Sequence, residues 1–597
     1  MSHYKPNIRD IHFNLFEVNR IQDYLGEGEW SDLGEDTVKD ILTEIERIAT
    51  DVYAASYVDQ DRIPLELVEG EVEVPESVKE GVRVFKEGGW NRLGLPHEMD
   101  GMPAPPSVVW AASEMLLAAN TTVQFYAGGA LFARALFEEG TPDQKEFARR
   151  WVDNDWAGTM ILTEPDAGSD VGAGTTKAID QGDGTWHLEG VKRFITGGEH
   201  DITDNIVHLV LARPEGAGPG TKGLSLFVVP KYLVNDDGSL GPRNGVYATN
   251  IEKKMGLKGS TTCEMTFGMN DPAVGYLVGE KHDGIRQMFK VIEYARMMIG
   301  TKAMGTLSTG YLNALEYAKD RVQGTDLARA GDRSAPKLPI IDHPDVRRML
   351  MMQKAYAEGL RALVFYTAAV QDKAAMDPDN DKWERRNDLL LPLVKGYSSE
   401  KAYELLATSL QVFGGSGYTQ DYPIEQYLRD AKIDTIYEGT TGIQSLDLFF
   451  RKIARDQGSA LASLAGEIVE FIKGGVDNDP LAPEREKLGQ ILDDAQAQLG
   501  VLVEYLMTSM SGESAEIYKV GLHANALLES ISEVVIAWQM LRQAEIAVDR
   551  VDTDPFYLGK VESARWLIDD IAPKVAARRR AAESEDGVLM ELPVEAF

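Results

Sequence analysis

The chain carries one cysteine, Cys263, in 597 residues. That excludes an internal disulfide and any site built from several cysteines, and it argues against secretion as a disulfide-stapled protein. Histidine is scarce too: there are nine, none spaced as a zinc-ligand pair, and His97-Glu98 lacks the second histidine of a zinc helix. No apolar run approaches the roughly eighteen residues of a membrane span, and Met1-Ser2-His3-Tyr4-Lys5-Pro6 has no basic stretch followed by an apolar one. The expectation is a cytoplasmic protein with no secretory signal, no membrane insertion and no metal. Positive charge is also short, since 61 Lys and Arg face 95 Asp and Glu, a net charge of −34. Such a field repels nucleic acid and anionic lipid, and an anionic substrate would need a local cluster of cations.

What is present reads as two to four domains. Val38, Ile41, Leu42, Ile45, Ile48, Ala49 and Val52 recur at helical steps, and Val78, Val82 and Phe85 repeat the pattern after Pro75, closed by Gly88-Gly89. Thr141-Pro142-Asp143-Gln144 predicts an N-cap, a proline at the first helical position and a capping box. From Met160 to Phe267 the apolar runs become short and β-branched. Trp186–Ile195, Ile206–Ala212, Leu224–Val229 and Thr262–Phe267 predict strands, with connections suited to antiparallel pairing. Long helical patterns resume beyond Gly284, among them a helix capped by Ser399 and ended by Gly414-Gly415. A linker is expected at Gly474–Pro480, followed by amphipathic helices. The expected fold is α+β and mostly α, with domains at 1–158 (helical), 159–280 (β), 281–455 (helical) and 456–597 (additional, helical).

Gly218-Pro219-Gly220-Thr221-Lys222-Gly223 matches G-x-G-x-x-G, but it sits between two predicted strands with no helix after it. It reads as a loop rather than a dinucleotide fingerprint. Four other segments say more: Thr163-Glu164-Pro165-Asp166-Ala167-Gly168-Ser169-Asp170, Phe194-Ile195-Thr196-Gly197, Gly414-Gly415-Ser416-Gly417-Tyr418, and Ile436-Tyr437-Glu438-Gly439-Thr440 followed by Ile443-Gln444. Alone, each reads as a turn, a strand end or a capped helix start, with Thr441 and Gln444 as a capping box.

Together and in this order they resemble the acyl-CoA dehydrogenase family, from the early helices to Lys452. The tail beyond Ala454 resembles an extended bacterial branch of broad-range fatty acyl-CoA dehydrogenases, with methylmercaptopropionyl-CoA dehydrogenase as a relative. The resemblance implies α,β-dehydrogenation of saturated medium- to long-chain fatty acyl-CoA. FAD would be the cofactor and an electron-transfer flavoprotein the electron acceptor, with a homodimer as the assembly. Glu438 is the implied base, because the family's alternative position is Ala295, which carries no carboxylate. Glu293 or Glu164 would be the fallback. For flavin the resemblance points to Leu162, Thr163, Gly168, Ser169, Phe194, Ile195, Thr196, Thr440 and Gly442. At the adenosine end, supplied partly by a neighbouring subunit, it points to Arg321, Gln323, His343, Gln411, Gly414 and Gly415. For acyl-CoA it points to Ser169, Glu293, Arg296 and Gly439, with Lys253, Lys254, Lys258 and Arg296 as the expected basic patch. An acyl-CoA oxidase and a non-catalytic acyl-CoA-binding relative are the alternatives.

Overall fold

β-Branched runs between Ala157 and Leu277 build an eight-stranded sheet in the computed structural model, which describes residues 2–475 and 478–597. Its strands are β1 (Ala157–Ile161), β2 (Lys177–Asp180), β3 (Trp186–Thr196), β4 (Ile206–Pro214), β5 (Ser225–Pro230), β6 (Val246–Ile251), β7 (Thr262–Phe267) and β8 (Ala273–Leu277). They lie in the order β6-β7-β3-β8-β5-β4-β1, with β2 paired to both β3 and β4. Most pairs are antiparallel, as expected, but β1 and β2 each run parallel to β4. The β2–β3 hairpin intervenes between β1 and β4, and that length of chain lets the strand return in the same direction. Along β4, Val207, Leu209 and Leu211 join one buried cluster with Trp151 and Trp156. Val210 and Ala212 join the other with Leu188 and Phe227. The period of two thus fills both faces of the sheet.

By contact density the chain divides into two units. One comprises residues up to Pro6 and Gly26–Ala295, the other Asn7–Leu25 and Arg296–Phe597. Residues 7–25, expected in the first helical domain, group by this measure with the second unit, and residues 456–597, expected as an additional domain, group with 296–455. The first unit holds the sheet with the helices Glu35–Ile48, Glu76–Glu87, Pro106–Ala127 and Pro142–Asp153. Thr141 caps the last of these in a complete capping box with Gln144.

Long helices make the second unit, chiefly Pro344–Met376, Ser398–Phe413, Ala482–Met510, Ile517–Ala547 and Pro555–Glu583. The C-terminal helices are bonded into it: Tyr397 donates to Glu533 at 3.0 Å and Tyr356 to Asp570 at 2.7 Å. Asp10, from the 7–25 segment, is fully buried between Arg361 and Lys560. Buried charges placed in this way cannot be re-solvated piecemeal, which is why the tail is part of one core. Val476 and Asp477 of the expected linker lie outside the described residues. Among the described residues the helical stretch Ser514–Arg550 is long and apolar enough to cross a membrane by length and composition alone, with mean hydropathy 1.3 over 18 residues, a test that buried core helices also pass. About two-thirds of that window, 67%, is buried inside the fold. Ser399 caps no helix. It lies inside Ser398–Phe413, and its hydroxyl donates to the carbonyl of Lys395 at 2.5 Å.

Candidate active site

In the first unit the Thr163–Ser169 segment leaves β1 and turns back at once. The amide of Glu164 donates to the carbonyl of Ala167, and the amide of Ala167 returns the bond. The end of β3 pins this turn. Lys192 donates to the carbonyl of Leu162 at 2.9 Å, and the amide of Arg193 to the carbonyl of Thr163 at 2.9 Å. Leu162 and Thr163 are therefore neighbours of the Phe194–Thr196 segment, two stretches some thirty residues apart in sequence. Glu164 is the post of this arrangement. It is buried, paired with Lys192 at 2.9 Å, and accepts from Thr175 and Thr176. Although burial acts the other way, the Lys192 charge and these donors hold its pKa down to about 2. A carboxylate so satisfied is no proton acceptor at neutral pH, which removes Glu164 as a fallback base. Beyond the turn Gly168 and Ser169 are exposed. Phe194 is left-handed at φ 61° and 56% exposed, its ring under the Arg193 guanidinium at 4.8 Å.

In the second unit Glu438 and Gly439 follow one another in the left-handed region, at φ 55° and 89°. For glutamate this is strained backbone, held by what surrounds it. Lys395 donates to the carbonyl of Gly439 at 2.6 Å, and Gln444 donates to that of Glu438 at 3.0 Å. Lys302 and Tyr437 bind the buried Asp434 just before the turn, at 2.7 and 3.0 Å. Thr440, not Thr441, caps the following helix, accepting from the amide of Ile443, so the expected box between Thr441 and Gln444 does not form. Thr441 instead donates to Glu400 at 2.5 Å. Among the described residues nothing donates to the Glu438 carboxylate. Burial pushes its pKa up to about 7, against the lowering influence of Lys395 and Arg296. Arg296 is 5% exposed and bonded to Asp447 at 2.7 Å. It is no part of an exposed basic patch; its charge is compensated in the interior. The patch fails elsewhere as well, since Lys254 is spent on the Ser260 carbonyl and Thr262, and Lys258 faces Asp61 at 3.2 Å. Glu293 is half-buried, in the first unit.

The remaining expected residues converge at one end of the second unit. Arg321 and Gln323 are exposed just past the Gly284–Asp320 helix, and His343 Nε2 meets the carbonyl of Gln323 at 2.6 Å. Tyr317, on the last turn of that helix, packs its ring at a tilt of 31° against Phe413 with centroids 4.5 Å apart, which brings Gln411, Gly414 and Gly415 to the same end. Gly414, at φ 59°, ends its helix as expected. Three functional groups escaped the sequence reading: Lys192, Lys395 and Asp447. Lys192 lies two residues before the Phe194–Gly197 motif, and the other two lie outside every motif and had no signal.

The residues of each unit, taken by themselves, are of kinds that suit a dinucleotide flavin. Gly168, Gly414 and Gly415 leave open space where a side chain would begin. Phe194 holds an aromatic ring out of the core, and Arg321 is an exposed cation suited to phosphate. The comparisons with known proteins agree. Residues 159–269 match the acyl-CoA dehydrogenase middle domain, and 282–451 match the acyl-CoA dehydrogenase C-terminal domain. Residues 464–593 match a domain described as acetyl-CoA dehydrogenase C-terminal like. The chain is 52% identical to the broad-specificity linear acyl-CoA dehydrogenase FadE5 of Mycobacterium tuberculosis, over 100% of both chains. It is 36% identical to 3-methylmercaptopropionyl-CoA dehydrogenase of Ruegeria pomeroyi, over 86% of this chain and 87% of that one. The crystal structure of acyl-CoA dehydrogenase complexed with FAD from Bacillus anthracis shares the fold, with a TM-score of 0.73 over 95% of this chain and 91% of that one at 19% identity. With these three domain matches and a full-length relative 52% identical, this chain belongs to the acyl-CoA dehydrogenase family and is an FAD-dependent oxidoreductase of acyl-CoA.

Proposed function

We propose that the protein converts saturated medium- to long-chain fatty acyl-CoA to trans-2-enoyl-CoA, with Glu438 taking the α proton. The observation that carries this is a carboxylate to which none of the described residues donates, held in strained backbone and pushed up to about 7 by burial. A base poised there is ionised enough to accept a proton at neutral pH yet basic enough to do so readily. FAD supplies the acceptor for the hydride of the β carbon, which no side chain can be. In the first unit Leu162, Thr163, Gly168, Ser169, Phe194, Ile195 and Thr196 are the ring-side candidates, with Ser169 and Glu293 for the substrate; in the second, Thr440 and Gly442 are ring-side candidates and Gly439 a substrate-side one. A broad chain-length range is favoured by the full-length likeness to FadE5, and rates with an acyl-CoA length series and an artificial electron acceptor measure it.

Arg321, Gln323, His343, Gln411, Gly414 and Gly415 would hold the adenosine half of FAD bound to a second copy. Their grouping and the exposure of Arg321, Gln323 and Gln411 support a homodimer. Arg321→Ala is then expected to lower FAD content and loosen the dimer together, read by absorbance and sedimentation. Full FAD content in a monomeric variant would exclude the shared site. We assign an electron-transfer flavoprotein as acceptor and the cytoplasm as location. Peroxide yield compared with dye reduction in air separates this dehydrogenase from an oxidase.

Glu438→Gln keeps volume and removes the basic oxygen. The expected variant is folded and yellow and binds acyl-CoA. Its flavin is bleached by substrate on the order of a hundredfold to ten-thousandfold more slowly in stopped flow. A wild-type rate would refute the assignment.

A further inference from the structure

Lys395 is a buried lysine whose ammonium has no carboxylate within ion-pair distance among the described residues. Among those residues it donates to the carbonyl of Gly439, at 2.6 Å. A buried charge left without an ion partner is costly, and folds seldom keep one without a use. Its backbone is unusual as well. Leu393–Tyr397 is a π-helical segment directly after Pro392, and such bulges gather at functional sites. The bulge is fastened on both sides, by Ser399 donating to the Lys395 carbonyl and by Tyr397 donating to Glu533 on the Ile517–Ala547 helix. Arg296, the other cation acting on Glu438, differs in that Asp447 already compensates it.

We propose that Lys395 is a positioning residue for proton abstraction: it clamps the Gly439 carbonyl to fix the turn presenting Glu438, and its charge favours the ionised form of that base. The proposal rests on the reading of Glu438 as the base. Burial lowers the pKa of Lys395 to about 8, so it remains largely a cation at neutral pH. The charged groups around the turn divide as follows. Lys395 comes from the π-helical segment and Arg296 from the Gly284–Asp320 helix. Glu400 comes from the Ser398–Phe413 helix and is engaged by Thr441. Asp434 and Tyr437 belong to the turn's own approach: Asp434 is paired with Lys302, and the Tyr437 hydroxyl donates to Asp434. Asp447 is tied to Arg296. Of the cations, Lys395 alone in this set has no carboxylate partner. Removing it should therefore raise the proton affinity of Glu438.

A purely structural lysine would change yield, stability or flavin content without moving the titration of the base, and pH dependence separates the two roles. Flavin bleaching by acyl-CoA is followed in stopped flow, from mildly acidic to mildly alkaline pH, in the flavin-loaded wild type, Lys395→Met, Lys395→Arg and Glu438→Gln. In Lys395→Met the midpoint of the acid limb should rise by about one pH unit, the size expected for loss of a nearby opposite charge, which is about tenfold in rate below that midpoint. Lys395→Arg should keep the midpoint near wild type while lowering the plateau, because the charge is retained and the clamp is displaced. If Lys395→Met does not retain flavin, Lys395→Gln replaces it with the same expected shift. An unmoved midpoint in the neutral variant overturns the proposal, whatever happens to the plateau. If Glu438→Gln is slow and the Lys395 midpoint is unmoved, only the role of Lys395 fails. If Glu438→Gln is fast, the assignment of the base itself fails.

Discussion

Glu164 and Glu438 invite comparison. Each sits in a tight turn inside a family motif, and each has a buried lysine nearby, yet their acidities move in opposite directions. Lys192 reaches the carboxylate of Glu164 directly, and hydroxyl and amide donors complete the shell, so the pKa falls to about 2. Lys395 spends its hydrogen bond on a backbone carbonyl one residue beyond Glu438, the carboxylate receives no donor from the described residues, and burial raises the pKa to about 7. A glutamate becomes a usable base where the fold withholds donors from it, not merely where it is buried.

The most drastic way to break this contrast is to neutralise the satisfied partner. Glu164→Gln leaves Lys192 buried without its counter-ion, and the expected loss is about 3 kcal/mol or more of unfolding free energy. Urea denaturation measures it. Glu438→Gln removes no ion-pair contact and should cost far less in the same assay; equal losses would contradict the distinction.

The pH dependence of stability should separate the two next. The folded-state pKa of Glu164 is depressed, so its stabilising contribution is complete above about 4.5 and is lost as the pH falls toward 2. That of Glu438 is raised, so its contribution is complete below about 4.5 and is lost as the pH rises through 7. Melting temperatures of wild type and Glu438→Gln should therefore diverge in favour of the variant as the pH passes from 5 to 8. A constant gap across that range would mean that Glu438 is not desolvated.

A smaller effect is expected from Gln444→Leu, which removes the donor to the Glu438 carbonyl at 3.0 Å. The loss should be about 1 kcal/mol of stability, with slower flavin bleaching because the turn is less firmly held. A stable variant with an unchanged rate would leave the turn to Lys395 alone.

Much of the plan was legible from local pattern. The strands Trp186–Ile195, Ile206–Ala212, Leu224–Val229 and Thr262–Phe267 were found within two residues of their ends, and the Thr141 box formed as written. Glycine after Phe413 predicted the helix end, because the left-handed conformation there suits a residue without Cβ. The parallel pairs of β4 escaped, since strand direction depends on where the chain returns and not on the composition of the strand. The Ser399 cap was misread because the helical run does not end at Pro392 but passes on through the π-helical Leu393–Tyr397 segment.

The sequence by itself determined the family, through four motifs whose residue types and order carry the chemistry, and it singled out Glu438 by the absence of a carboxylate at Ala295. Only tertiary structure decided which charges are available. Arg296 looked like a cation for CoA and proved to be neutralised by Asp447, 151 residues away. Glu164 looked like a possible base and proved to be saturated, while Lys395, outside every motif, arrived at the Gly439 carbonyl from 44 residues away. The physical reason is that a side chain's charge state is set by the donors, acceptors and solvent around it in space, and their separation in sequence records none of that.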